Sequence, residues 1–279
     1  MNNIEKINKI YNQSATKMSQ VEDNSVDLII TSPPYFNIKD YSLDGNQLAK
    51  HSKINVKDIG AQNDFNSYIL MLQKVWKECE RVLRPNGKLC INVPLLPMLK
   101  SDYNSHYNRH IYDLQSEIQN NILKKTDLFL MDLYVWNKTN PSKKLMFGSY
   151  PLPTNFYVQN TIEFITVYVK DGKPNKERPA FIKDRSILSQ KEWVEYTKQI
   201  WNIAIVNRGD LAYGKHSAIM PEEIVKRLIR LYSFENDIVL DPFAGSGTTL
   251  KVAKELNRNY IGYELYSEYI KLINEKLGL

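Results

Sequence analysis

The stretch DIVLDPFAGSGTTLKVAKELNRNYIGYE, residues 237–264, decides how this chain folds. Residues 237–240 read as a strand, apolar from Ile238 to Leu240, and Asp241-Pro242-Phe243-Ala244-Gly245-Ser246-Gly247 is a glycine turn. Residues 248–256 have the length and spacing of a helix, and residues 260–263 are a second strand-like run ending at Glu264. A strand, glycine turn, helix and second strand ending in an acid describe a nucleoside-binding half-site. Its glycines let backbone approach the ligand, and its acid accepts hydrogen bonds from ribose hydroxyls. Glu264 follows Asp241 by 23 residues, within the expected range. No Gly-Lys-Ser/Thr is present for a nucleoside triphosphate, and Leu250 stands where a dinucleotide fingerprint has its third glycine. The ligand expected here has no pyrophosphate; a glycine turn with a purely structural role is the alternative.

Far upstream, Val26-Asp27-Leu28-Ile29-Ile30-Thr31 reads as a short buried strand that ends at Ser32-Pro33-Pro34-Tyr35, where neither proline can continue a ladder. The prolines hold backbone carbonyls outward with little freedom, Ser32 supplies a hydroxyl, and Tyr35 supplies an aromatic face. That set suits a planar ring bearing an amino group. Such a nitrogen is a poor nucleophile because its lone pair is delocalised into the ring. Hydrogen bonds from its two protons to the Ser32 hydroxyl and the Pro33 carbonyl favour a more tetrahedral nitrogen and free the lone pair for attack. The proton on the alkylated nitrogen is acidic, so water or Ser32 can take it without a strongly perturbed general base. Tyr35 would stack on a base flipped out of its duplex. Read alone, residues 31–35 are also compatible with an ordinary turn.

Together, and in this order, the two motifs resemble those of the β-class amino-methyltransferases of bacterial restriction–modification systems, which place Ser-Pro-Pro-Tyr ahead of Asp-Pro-Phe-x-Gly-x-Gly. The resemblance extends to RVLRPNGKLCINV at 81–93, YVWNK at 134–138 and residues 216–232. It implies an α/β, Rossmann-like S-adenosylmethionine-dependent methyltransferase fold, with a mostly parallel seven-stranded sheet, circularly permuted motif order and a small inserted recognition region. Ser32, Pro33, Pro34 and Tyr35 would hold the target base. The cofactor would lie against Asp241, Pro242, Phe243, Ala244, Gly245, Ser246, Gly247 and Thr248, with Asp241 by its amino acid end and Glu264 on its ribose; Thr31 and His216 would complete that site. The permuted order makes the strand around residues 9–11 the third of the cofactor half. One departure follows that strand: relatives often have Gly-Asp where Gln13-Ser14 stand, so a carboxylate near the adenine ring is missing.

In this family a serine before Pro-Pro-Tyr usually accompanies cytosine-N4 methylation, and Asp or Asn usually accompanies adenine-N6 methylation. The resemblance therefore points to N4 of cytosine in double-stranded DNA, with adenine N6 as the alternative. Cytosine-C5 chemistry needs a thiolate nucleophile, and neither Cys79 nor Cys90 follows a proline in a short loop. Three further readings stay open: a methyltransferase-like module that binds DNA without turnover, a nicotinamide or flavin oxidoreductase on a similar sheet, and an RNA substrate. The missing third glycine and the Ser-Pro-Pro-Tyr turn disfavour the oxidoreductase. A cognate restriction endonuclease is implied as a partner, although a solitary enzyme would look the same, and a homodimer is left open.

Between the motifs, strands and helices alternate as in a doubly wound sheet. Residues 65–84 have helical spacing, Pro85-Asn86-Gly87 is read as a turn, and residues 88–93 as a strand. A helix is expected at 107–124, strands at 128–136 and 161–169, and a helix with Pro221 as its first residue and Glu222 and Glu223 in its first turn. Residues 170–206 lose clean periodicity and are read as the target-recognition insertion, between a catalytic part at 1–169 and a cofactor-binding part at 207–279. Trp193, Tyr196 and Trp201 are expected to pack that insertion's core, with contact to DNA as the alternative. Lys39, Asp40 and Tyr41 are expected on a mobile loop over the flipped base.

Composition is that of one large α/β domain: 279 residues, 43% hydrophobic, 18 tyrosines. The net charge of +6 fits a polyanionic partner, and residues 170–215 carry ten Lys/Arg against six Asp/Glu. The opening MNNIEKINKI has charges and amides where a secretory signal would be apolar, and no segment reaches bilayer-spanning length, so a cytoplasmic location is expected. Cys79 and Cys90 show neither metal-ligand nor disulfide spacing and are read as core, as is Trp76. His51, His106, His110 and His216 are scattered, and no metal is expected.

Overall fold

The computed structural model describes residues 6–36, 58–62, 64–98, 110–140, 149–155, 158–174, 177–216 and 218–279. In chain order the first elements are β1 (Lys9–Tyr11), β2 (Val26–Thr31), α1 (Phe65–Val82), β3 (Leu83–Pro94), β4 (Leu96–Met98), β5 (His110–Tyr112), α2 (Leu114–Lys125), β6 (Leu128–Lys138) and β7 (Ile162–Lys170). They are followed by α3 (Ala180–Arg185), α4 (Gln190–Tyr196), β8 (Ile200–Ile203), α5 (Glu222–Tyr232), β9 (Ile238–Asp241), α6 (Thr248–Glu255), β10 (Asn259–Tyr263) and α7 (Ser267–Leu277).

Every residue of β2 is buried, as an unbroken apolar run requires of a strand covered on both faces. It lies at the centre of a sheet in the order β1-β10-β9-β2-β3-β7-β6-β8. From β1 to β3 the strands are parallel; β7 runs antiparallel to both β3 and β6. One face packs Leu72, Trp76 and Cys79 of α1 and Ile118 and Ile122 of α2 over Ile29, Leu89 and Ile91. The other packs Leu228 and Ile229 of α5, Leu250 of α6 and Ile273 of α7 over Leu28, Ile30, Cys90 and Val239. This is a three-layer α/β domain of Rossmann type. Both cysteines and Trp76 lie in the core. Among the described residues no helix is long and apolar enough to cross a membrane.

The sheet departs from the sequence reading at two places. Pro85-Asn86-Gly87 does not precede a strand but loops out within β3: Val26 pairs with Leu83 and Leu28 with Lys88, so residues 84–87 stand opposite Asp27 alone. Asn86 takes φ +64°, and a Cβ on Gly87 would lie 2.8 Å from the Arg84 carbonyl oxygen. The sheet also has an eighth strand. β8 comes from the stretch read as an insertion and pairs parallel with β6. Its alternation buries Trp201 against Tyr134, with ring centroids 4.5 Å apart, while Trp136 Nε1 donates to the Ile203 carbonyl at 2.8 Å. Tyr196 and Trp201 are core, as expected, but Trp193 is 58% exposed.

Strand direction separates two poles. The carboxyl ends of β9, β10, β1 and β2 share one pole, while β7 ends at the other, with Val169 opposite Lys88 and Lys170 opposite Leu128. The chain that follows β7 therefore begins at the far pole, where Glu235 N donates to Ser186 Oγ at 2.9 Å and Arg230 Nη2 donates to the Ile187 carbonyl at 2.7 Å. Arg178 is inserted there between two buried acids, paired with Asp237 and 3.3 Å from Asp27. Burial, then the neighbouring Asp27, pushes the Asp237 carboxyl up to about 6. The rise of ~3.3 Å per strand residue puts Asp27 roughly 16 Å below Ser32. Arg178→Met leaves these two carboxylates without the cation between them, and about 3 kcal/mol of stability is expected to be lost. Urea unfolding will show a larger loss at pH 8 than at pH 5, because Asp237 is mostly protonated at the lower pH and the repulsion needs both charges.

Candidate functional site

At the carboxyl ends of β9, β10 and β2 a cavity opens where chain order reverses, with β10 and β1 built outward on one side of β9 and β3 on the other side of β2. Open α/β sheets bind ligands at such a switch point. Ser32, Pro33, Pro34 and Tyr35 line this cavity together with Asp241, Pro242, Phe243, Ala244, Gly245, Ser246, Thr248, Glu264 and His216. Thr31 and Gly247 stand just behind it. Thr31 Oγ1 donates to Asp241 Oδ1 at 2.8 Å, joining the ends of β2 and β9, and the same oxygen accepts from Phe243 N at 3.0 Å. Gly247 caps α6 at φ +78°, with its Cα against Ile273.

The glycine turn is shaped for close approach. Gly245 has φ +47°, and a Cβ there would lie 2.7 Å from His216 Nε2. Glu264, at the end of β10, reaches across the turn: Oε2 accepts from Gly245 N at 2.8 Å and Oε1 from Tyr266 N at 2.9 Å. Burial outweighs these hydrogen bonds and pushes the Glu264 carboxyl up to about 7 and that of Asp241 to about 6. Two acids with room on their outer side fit hydroxyl and ammonium donors of a nucleoside ligand. His216 Nδ1 accepts from Ala218 N at 3.2 Å, and its ring lies edge-on to Tyr269 at 5.0 Å.

The Ser-Pro-Pro-Tyr turn is held from below. Tyr68 of α1 donates its hydroxyl to the Pro34 carbonyl at 3.0 Å, and a Cβ on Gly60 would lie 3.1 Å from the Tyr35 carbonyl oxygen. Ser32 Oγ and Tyr35 Oη are 3.3 Å apart. The Pro34 carbonyl is thus engaged by Tyr68, while Pro33 and the half-buried Ser32 line the cavity.

Gln13 and Ser14, where the family resemblance leaves a carboxylate missing, do line the cavity; so does Asp58, which sequence reading passed over. Asp58 accepts from Gly60 N at 2.9 Å and from the Tyr266 hydroxyl. No motif marks it, because only the fold brings its loop against the end of β10. Tyr266 and Tyr269 also line the cavity and had a signal, since they open the apolar spacing of α7. Lys39, Asp40, Tyr41, His51 and His106 lie outside the described residues. Among the described residues no group of three or more His, Cys, Asp or Glu is placed to hold a metal.

A family model described as DNA methylase, covering N6 and N4 methyltransferases, matches residues 26–275. The chain belongs to the DNA methylase family. This methylase is 34% identical to the type II methyltransferase M.MjaI of Methanocaldococcus jannaschii over 97% of its own length and 91% of the relative's. It is 29% identical to M.MthZI of Methanothermobacter thermautotrophicus, over 97% and 76%. Its fold superposes on a Thermus thermophilus protein described as a DNA modification methylase, complexed with S-adenosyl-L-methionine, with TM-score 0.73 and 25% identity over 97% and 93% of the two chains.

The raised carboxyl of Glu264 makes a stability prediction. Its folded-state pKa of about 7 lies above the ordinary 4.5, so the folded methylase holds the extra proton between those values and loses stability as pH rises through that window. Glu264→Gln removes this titration. Urea unfolding from pH 5 to pH 8 is expected to show a shallower fall in the variant, with Asp241 and Asp237, both raised to about 6, contributing to the slope that remains.

Proposed function

We propose that this methylase transfers the methyl group of S-adenosylmethionine to N4 of cytosine in duplex DNA, with the target base turned out of the helix. One observation carries the reading: the two motifs, from opposite ends of the chain, line a single cavity. The residues present fit the cofactor. Glu264 would accept from the two ribose hydroxyls, Gly245 has no side chain between the turn and His216, and Asp241, Ser246 and Thr248 would offer polar atoms to the amino acid end. When bound, the cofactor supplies an electrophilic methyl on a sulfonium.

The protein's part is to hold, orient and exclude. An amino group paired inside a duplex cannot enter a recessed cavity, so the base must leave the stack. Ser32 Oγ and the Pro33 carbonyl accept its two amino protons and turn the nitrogen lone pair toward the glycine turn. Tyr35 faces the ring, and its hydroxyl beside Ser32 Oγ keeps that hydroxyl oriented. Once nitrogen carries the methyl, the surplus proton passes to Ser32 or to solvent. Cytosine is assigned from the hydroxyl of Ser32, where a carboxylate or carboxamide would suit adenine in this family. We assign sequence reading to loops of the catalytic pole and to the residues that follow β8, in preference to α3 and α4, because those helices follow the end of β7 at the far pole. The cytoplasm and a restriction endonuclease partner accord with the type II relatives.

The test is mass spectrometry of nucleosides from DNA incubated with the protein and S-adenosylmethionine. N4-methylcytosine is expected, with Ser32→Ala lowering its rate by roughly 10²-fold while calorimetric cofactor affinity stays close to wild type. N6-methyladenine would retain the chemistry and reassign the base; no methylated nucleoside despite cofactor binding would overturn the proposal.

A further inference from the structure

Beside the catalytic turn stands a line of buried polar groups that the mechanism above does not use. Thr31 pairs with Ile91, so the next residues outward are Ser32 and Asn92. Side chains alternate along strands, which places Asn92 on the same face as Cys90, Glu163 with Ile165, and Lys138 with Trp136, the face that Leu28 and Ile30 share. Asn92 Nδ2 donates to Glu163 Oε2 at 2.6 Å, and Lys138 Nζ lies 2.7 Å from Glu163 Oε1. Lys138 is 17% exposed and Glu163 11%, and the ammonium lies 5.2 Å from the centre of the Trp136 ring. Asn92 is buried, and its Oδ1 has no hydrogen-bond partner.

Stability does not account for this line. Desolvating an ion pair costs about what its attraction returns, and an orphaned amide oxygen adds a further cost. Apolar residues would serve better at the end of a sheet whose lower rows on this face are Cys90, Ile165 and Trp136. The groups stand instead at the carboxyl ends of β3 and β6 and the amino end of β7, with Asn92 next to Ser32. Lys138 and Ser32 are three inter-strand spacings apart, about 14 Å between backbones, and Lys138 shortens that interval by reaching over β7 to Glu163. The ammonium is thereby brought toward Ser32 from the side opposite the glycine turn.

We propose that Lys138, oriented by Glu163 and Asn92, reads the ring of the target base by donating to the unprotonated ring nitrogen beside the amino-bearing carbon, N3 of cytosine. This rests on the amino-methyltransferase reading above and adds the base's second anchor. The chemistry selects: cytosine N3, like adenine N1, is a bare acceptor, whereas thymine N3 and guanine N1 carry a hydrogen that an ammonium cannot satisfy. Lys138 is then the base-contacting residue. Glu163 and Asn92 are positioning residues that hold its ammonium across the sheet.

The experiment compares methylation of a duplex carrying the wild-type enzyme's own mapped target with the same duplex carrying 3-deazacytosine there, or 1-deazaadenine should the product be N6-methyladenine. Wild type is expected to lose roughly 10- to 100-fold in kcat/KM on the deaza base, the worth of a hydrogen bond to a charged group. Lys138→Met is expected to lose a similar factor on the natural base and to treat both bases alike. Lys138→Arg keeps the discrimination, and Glu163→Gln narrows it. Thermal melting and S-adenosylhomocysteine affinity confirm folded protein; should Lys138→Met not fold, Lys138→Gln takes its place. An unchanged natural-to-deaza ratio in the Lys138 variant overturns this inference and leaves the methyltransferase reading standing. No methylation by wild type on any DNA overturns both.

Discussion

The buried hydrogen bond from Thr31 Oγ1 to Asp241 Oδ1 joins two strands whose sequences lie at opposite ends of the chain. β2 carries the Ser-Pro-Pro-Tyr turn and β9 the glycine turn, and the two strands are parallel neighbours. Each turn alone is a loop at a strand end. Side by side at the point where chain order reverses, they face one cavity from two sides. The bond also sets their height: Asp241 accepts from Thr31 and from Phe243 N through one oxygen, so the end of β2 and the start of the glycine turn are held to a common level.

That arrangement has an energetic consequence. Asp241 and Glu264 are carboxyl groups kept where water is scarce, and burial raises both above the ordinary range although backbone N–H groups and the hydroxyls of Thr31 and Thr249 donate to them. A buried acid at neutral pH is a strained element of a fold unless something cationic or hydrogen-donating completes it. Ribose hydroxyls and an ammonium would do so. The stability withheld from the free protein is thereby available to ligand binding, and a fold optimised for stability alone would not keep two such acids in one cavity.

How much of this was legible depends on whether the signal was local. β2 and the β9–α6–β10 unit were readable to within a residue or two, since an apolar run, two prolines, two glycines and a terminal acid each restrict the backbone in their own right. The start of β3 was not, because its bulge is held by Arg84 reaching Asp27 at 2.9 Å on the neighbouring strand, a contact that no local pattern contains. β8 is four residues long and earns its place only through Trp201 and Ile203 packing beside β6, so its stretch read as an insertion. α7 was missed although Tyr269, Leu272, Ile273 and Leu277 carry plain helical spacing. At the site, the motif residues were named from sequence, whereas Asp58 and the Asn92–Glu163–Lys138 line depend on which strands are neighbours.

The far pole shows the same logic in reverse. Arg178, Asp27 and Asp237 form a charge cluster as buried as the one at the cavity, yet there both acids have a cation within reach, and Asp27 also accepts from Ile238 N at 2.9 Å. Such a cluster is closed. It ties the segment after β7 to the strand starts and leaves no acid without a counter-charge. At the cavity Asp241 and Glu264 bond to backbone N–H groups and to the hydroxyls of Thr31 and Thr249, and among the described residues neither is in an ion pair. Burial is similar in the two groups of acids; what differs among the described residues is the counter-charge, present at Asp27 and Asp237 and not at Asp241 and Glu264, and that difference marks which group is built to receive a ligand and which to hold the fold together.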